Sequence, residues 1–304
     1  MRSLITGASG FAGTALHAHL KAAGDDVIAW SRAERGPDIT QRDPVFSAMA
    51  DAEPDVVYHL AAQSHVPTAW EDPIATIRAN VEGTQNVVDA AAAANRPRVV
   101  VVTSAEVYGS VKPEQLPITE DFPLRPSNPY AVSKVAADAV ALGAFLGTGL
   151  DVIRIRAFNH FGPGQSPSFV SAGFAQRIAV AAQTGKTSIE VGSLDVARDF
   201  TDVRDVVRAY RLAGTDGEPG EVYNVCSGVS RSIREIAEAF VSRSGINISL
   251  DPSPELQRPV DTPIVVGSAA RINEHTGWEP EISFESSLDD IYTEAEARAS
   301  EQSL

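Results

Sequence analysis

A doubly wound parallel α/β fold with a smaller, discontinuous second lobe is predicted by three features of this chain. Short β-branched runs alternate with alanine-rich stretches of helical length. A glycine-rich turn follows the first apolar run, and the rhythm changes after Arg156 to a loop rich in glycine, proline, serine and aromatic residues, Phe158 to Phe169. Strands covered by helices on both faces read as continuous apolar runs, and such sheets collect ligands beyond the strands' carboxyl ends.

The first strand, Arg2-Ser3-Leu4-Ile5-Thr6, leads into Gly7-Ala8-Ser9-Gly10-Phe11-Ala12-Gly13 and a helical stretch. Gly7 permits the tight turn, Gly10 lets backbone amides approach a pyrophosphate, and Gly13 lets the helix pack on the strand. Strand, turn and helix come in the order a dinucleotide site requires, which favours it over an ordinary glycine turn and places Phe11 and Ala12 beside the ligand. The second strand, Asp26 to Trp30, ends in Ser31-Arg32 with no carboxylate to grip a ribose hydroxyl. A hydroxyl and a forked cation suit a 2'-phosphate, so NADP(H) is favoured, with NAD(H) as the alternative if Arg32 simply faces water. Asp38 and Ile39 are expected to border the adenine.

Val56 to Leu60 and Val99 to Thr103 are further buried strands, so that Gly7, Ala61 and Ser104 all follow strand ends. Helices are predicted over 72 to 94 and 129 to 147. Asn128 caps the latter and Pro129 fits its first position, so Tyr130 and Lys134 fall on one face, a turn apart. With Ser104 upstream, the pair reads as a hydride-transfer site. Tyrosine titrates at roughly 10, and lysine and nicotinamide charge would lower it toward useful acidity. The bland alternative is a surface tyrosine and a solvated lysine.

Val152 to Arg156 closes the first run of strands, and Glu221 to Val225 returns to the sheet. Residues 1–160 and about 200–228 therefore form the dinucleotide-binding domain, and about 161–199 and 229–304 the substrate lobe, with a fraying tail from about Glu294.

The chain has 304 residues, 40 acidic against 25 basic, and a net charge of −15, which disfavours nucleic-acid and anionic-membrane partners. A diphosphate bound to so acidic a protein needs local forked cations. Arg198 and Arg258 are the main candidates, Arg177 is a weaker one, and Asn159 could donate its amide. Surface salt bridges are the alternative for each arginine. His65 and His160 read as pocket walls or core groups, and no spacing supports a metal. The single Cys226, the lack of a visible leader and the absence of an apolar run near about 20 residues point to the cytoplasm.

These pieces together resemble the extended short-chain dehydrogenase/reductases, over nearly the whole chain. The glycine motif and the Ser104, Tyr130, Lys134 trio match residue by residue. His59-Leu60-Ala61-Ala62, Asn80 and Val107-Tyr108-Gly109 are similar to family landmarks, the first beside the cofactor. Gln63-Ser64-His65-Val66, Phe158 through Gln165 and Arg198-Asp199-Phe200 resemble the GDP-hexose branch. The resemblance implies a doubly wound Rossmann sheet and NADPH-dependent reduction of the 4-keto group of GDP-4-keto-6-deoxy-D-mannose to GDP-D-rhamnose. It also implies a GDP-sugar held by Gln63, His65, Ser104, Glu106, Asn159, Arg177, Arg198 and Arg258. Arg198 and Arg258 match family diphosphate positions, and a homodimer is implied through helices 72 to 94 and 129 to 147.

The main competitor is dehydration of a GDP-sugar, which in this family uses an acid or hydroxyl residue and then glutamate after the serine. Here the order is Ser104-Ala105-Glu106, so the acid half is missing, while Glu106 could still act as a base or bind a sugar hydroxyl. A 4-epimerase is a further alternative. A regulator that binds NADP(H) without chemistry is an alternative of another kind, and it has no need of the intact trio.

Overall fold

The structure is a computed structural model that describes residues 1–31, 36–256 and 262–302. The strands are β1 (Arg2–Thr6), β2 (Asp26–Trp30), β3 (Val56–His59), β4 (Arg98–Val102), β5 (Val152–Ala157) and β6 (Asn159–Phe161). They continue with β7 (Ser188–Val191), β8 (Ala197–Asp202), β9 (Val222–Val225), β10 (Ser230–Ser232), β11 (Ser249–Pro252) and β12 (Ile264–Val265). The first-half helices are α1 (Phe11–Ala22), α2 (Arg42–Ala52), α3 (Val66–Glu71), α4 (Pro73–Ile77), α5 (Gly83–Ala93) and α6 (Pro129–Thr148). The remainder are α7 (Val170–Thr184), α8 (Val203–Asp216), α9 (Ile233–Ser244), α10 (Ala270–Thr276) and α11 (Phe284–Gln302).

The main sheet runs β2-β1-β3-β4-β5-β9, and every neighbouring pair is parallel. The order reverses between β1 and β3, which opens a crevice at their carboxyl ends. Adjacent strand residues feed opposite cores because side chains alternate across a sheet. Leu4, Val57 and Val99 pack with Val45, Met49 and Val87 from α2 and α5. Ile5, Tyr58 and Val100 pack with Leu16, Leu20 and Val206 from α1 and α8.

The second lobe has its own core, built from Phe174 and Ile178 of α7, Ile236 and Phe240 of α9, and Leu288 and Ile291 of α11. Its strand β8 pairs with β10, β12 and β6.

Four details differ from the sequence expectations. Residues 270–278, expected in the substrate lobe, belong to the first core, where Trp278 is fully buried beside Ile272 and Val206 and its Nε1 donates to Asp205 O at 3.0 Å. The span 72 to 94 is helical but interrupted by a π turn, Arg78–Glu82, that carries Asn80. The loop expected from Phe158 contains β6, whose pairing with β8 begins the second lobe. Finally, α6 is by length and composition apolar enough to cross a membrane, with a mean hydropathy of 1.3. Short polar residues hidden among its alanines obscure that length, yet it buries Lys134 and Asp138 against the sheet.

Candidate active site

The crevice between β1 and β3 is shaped by backbone rather than by side chains. Gly7 turns at φ +72°, and a Cβ there would lie 2.8 Å from the Ala61 Cα and N, so the glycine turn and the Leu60–Ala62 segment touch. A Cβ on Gly13 would lie 2.2 Å from Gly7 O. Helix α1 starts at Gly10 with no side-chain cap and no acidic residue in its first turn. Its first amides and its dipole are thus left for an anion, which fits the pyrophosphate of a dinucleotide. Gly13→Ala is therefore expected to weaken NADPH binding at least about tenfold and to destabilise the fold by about 1–3 kcal/mol through overpacking, read by binding titration and denaturation.

Beyond this turn, Phe11 and Ala12 open α1. The Phe11 ring stacks on His160 from β6, with centroids 5.9 Å apart, so the dinucleotide turn and the second lobe meet here. Ser31 is buried at the end of β2, and Arg32 lies outside the described residues. Asp38 Oδ1 accepts from Thr40 N and Oγ1, at 3.0 and 2.8 Å, while Ile39 packs against Gly83.

A buried chain of hydrogen bonds underlies the crevice. Thr84 Oγ1 donates to Asn80 O at 2.6 Å, so it must accept from His59 Nε2, 3.0 Å away. That leaves His59 Nδ1 to accept from Thr6 Oγ1 at 2.8 Å, and Thr6 Oγ1 in turn accepts from Ala61 N at 3.1 Å. Burial, with help from the Lys134 charge, pushes the His59 imidazole down to about 3, so the ring stays neutral. Asn80 Nδ2 donates to Gln63 O at 2.9 Å and to Ser133 Oγ at 2.8 Å, and Ser133 Oγ donates to Tyr130 O at 2.7 Å.

Ser104 and Tyr130 meet from two directions. Ser104 ends the run after β4 and caps a 3-10 turn, its Oγ accepting from Glu106 N at 3.2 Å. Asn128 Oδ1 caps α6 by accepting from Ala131 N at 2.8 Å, which directs Tyr130 and Lys134 inward. The same Asn128 donates from Nδ2 to Glu106 Oε2 at 3.1 Å, tying the serine turn to the start of the helix. Lys134 is 6% exposed, and its Nζ donates to Val102 O at 3.0 Å.

Here the protein's own groups do not supply the lowering expected of Tyr130, and the share expected from nicotinamide charge lies outside them. The Tyr130 phenol is pushed up to about 12 rather than down, because burial outweighs the hydrogen bond from Ser104, and Glu106 adds negative charge. Lys134 is pushed down to about 8 by burial. The phenol therefore keeps its proton at neutral pH, the state from which a carbonyl oxygen could be protonated.

The remaining residues are spread over the two lobes. Gln63 spends its amide within the protein, Nε2 donating to His65 O and Thr76 Oγ1 at 3.1 Å each, and His65 Nδ1 pairs with Thr68 Oγ1 at 3.0 Å. Asn159 is exposed on β6. Arg198 on β8 donates from Nη1 to Ala197 O and Thr262 O at 2.9 and 2.7 Å. Arg177 lies over the Phe174 ring and donates to Glu190 O at 2.7 Å. It borders a cavity of about 460 Å³ shared with Gln176, Ile189 and Leu256. Arg258 lies outside the described residues. Sequence reasoning missed Asp138, Arg154 and Arg156. Their spacing, an acid four residues beyond Lys134 and arginines at alternate positions of a buried strand, was the available signal.

Residues 3–226 match the NAD dependent epimerase/dehydratase family. The chain belongs to this family. Across the family it is 39% identical to GDP-6-deoxy-D-mannose reductase of Pseudomonas aeruginosa, covering 99% of both chains. It is also 33% identical to dTDP-glucose 4,6-dehydratase of Streptomyces griseus, over 94% of this chain and 91% of that one. The solved structure of RMD from Pseudomonas aeruginosa complexed with NADPH superposes with a TM-score of 0.88 at 39% identity, covering 98% of this chain and 100% of the other. The Thermus thermophilus UDP-glucose 4-epimerase complex with NAD gives a TM-score of 0.86 at 27% identity, covering 97% and 99%. Members of this NAD dependent family run more than one reaction, reduction in the first of these relatives and dehydration in the second.

Proposed function

We propose that this protein reduces the 4-keto group of GDP-4-keto-6-deoxy-D-mannose to GDP-D-rhamnose, using NADPH. The observation that carries this reading is the intact Ser104, Tyr130 and Lys134 site in a chain 39% identical, end to end, to a GDP-6-deoxy-D-mannose reductase. NADPH, when bound, supplies the hydride to the keto carbon. Tyr130 gives its phenolic proton to the carbonyl oxygen, and Ser104 polarises that oxygen by hydrogen bonding. Lys134 offers its ammonium to a ribose hydroxyl, and the bare amides at the start of α1 hold the pyrophosphate. Arg32 reads the 2'-phosphate. Arg198, Arg258, Arg177 and Asn159 hold the GDP group, and Glu106 binds a sugar hydroxyl.

Glu106 also keeps GDP-mannose dehydration in view, but Ala105 has no exchangeable proton and is 9% exposed. Separate incubations with GDP-mannose and with GDP-4-keto-6-deoxy-D-mannose plus NADPH distinguish the two. Stoichiometric NADPH oxidation and a gain of two hydrogens on the keto-sugar support the reductase, whereas water loss from GDP-mannose without net cofactor use overturns it.

Because Lys134 is pushed down to about 8, its charge is present below that pH and lost above it. The pH profile of kcat/KM, which reports the free enzyme, is expected to fall on its alkaline side near that value. A flat profile across that range would remove Lys134 from the chemistry.

A cytoplasmic homodimer belongs to the same proposal. Ile74 on α4 and Val132 on α6, 62% and 46% exposed, lie within the two helical spans, 72 to 94 and 129 to 147, expected to pack across the twofold.

A further inference from the structure

The groups that act on the carbonyl oxygen sit on two separate pieces of backbone, Ser104 on the turn after β4 and Tyr130 on α6. A buried hub joins the two. Asp138 lies one turn beyond Lys134 and two beyond Tyr130 on the same face of α6, and is 2% exposed. Its carboxylate accepts from Arg154 Nη1 at 2.8 Å and from Arg156 Nε and Nη2 at 3.0 and 3.3 Å. Arg156, on β5, uses Nη1 to reach the serine turn, donating to Tyr108 OH at 3.1 Å, and also donates from it to Glu120 O, beyond that turn, at 2.9 Å. Tyr108 ends the turn that Ser104 begins, is fully buried, and donates to Asn224 Oδ1 of β9 at 2.7 Å.

We propose that Asp138, Arg156 and Tyr108 are positioning residues that set the spacing between Ser104 and Tyr130 by clamping α6 and the serine turn to one strand. The guanidinium is planar and its donors point in fixed directions, so gripping the helix by one edge and the turn by the other fixes their separation. An apolar contact of the same volume would hold α6 without any directional constraint. Buried charge pairs add little net stability over such contacts, so orientation is what this one contributes. The inference rests on the reading above, in which Ser104 and Tyr130 act on one oxygen. An error of about 1 Å between such groups can lower the rate about a hundredfold.

Tyr108→Phe tests this by removing one oxygen while leaving the ring and the Asp138–Arg156 pair in place. The expected result is a kcat lowered about tenfold, with KM for NADPH and keto-sugar changed less than about twofold. In a Ser104→Ala background the same substitution should cause no further loss, since the spacing it sets no longer matters. Arg156→Lys, whose ammonium lacks the two edges, should repeat the pattern. Crystal structures of the wild type and Tyr108→Phe should show a longer Ser104 Oγ to Tyr130 OH separation in the variant, a readout that needs no substrate. Wild-type kcat in both variants, losses that multiply fully with that of Ser104→Ala, or an unchanged separation would each overturn the proposal. Failure of the wild type to reduce the keto-sugar would instead remove the reductase reading, and the separation would still decide this one.

Discussion

Tyr130→Phe is expected to lower turnover by about 10²- to 10⁴-fold while NADPH binding changes little. Tyr130 is 8% exposed, so the ring fills the same space without its oxygen, and the amides proposed to hold the pyrophosphate lie at the start of α1. Burial keeps the wild-type group protonated far above neutrality, pushed up to about 12, so the proton is available throughout the working range. Removing it leaves Ser104 as the nearby hydroxyl, able to polarise an oxygen but not to replace the lost acid. Steady-state rates and a cofactor titration check both halves. Near wild-type turnover would mean that another group protonates the product.

The second large effect is on stability. Asp138→Ala is expected to destabilise the protein by about 3–5 kcal/mol, because Arg154 and Arg156, 8% and 4% exposed, would keep their charges with no carboxylate to accept from them. Neither guanidinium can be neutralised by losing a proton at ordinary pH, so the penalty has no easy escape. Chemical denaturation measures it. A loss under about 1 kcal/mol would mean that Glu120 O, Gly220 O and Tyr108 OH alone satisfy the two arginines.

The parts of this protein legible from sequence are those whose cause is local. The Gly7, Gly10 and Gly13 turn was visible because each glycine answers a backbone demand within a few residues, and the Asn128-Pro129 start of α6 because a cap acts within one turn. The π turn at Arg78–Glu82 has no such local signature and reads as ordinary helix. The burial that raises the Tyr130 phenol comes from distant segments and is not legible from the lysine a turn away. Trp278 in the first core and the pairing of Asp138 with β5 likewise join residues far apart in the chain, whose partners only the tertiary structure names.

The hydrogen-bonded run beneath the crevice has a consequence for how the enzyme recovers between turnovers. From Ala61 N inward to Thr6 and His59, and on through Thr84 to Asn80, each link has a fixed polarity, and the side-chain amide of Asn80 carries it on to Ser133. The run ends on the backbone carbonyl of Tyr130, not on its phenol. It is a strut and not a wire, since an amide passes no protons and a ring held near 3 accepts none. In the proposed reduction the proton that Tyr130 gives up is therefore not returned along this run, and its replacement comes through Lys134 or the cleft.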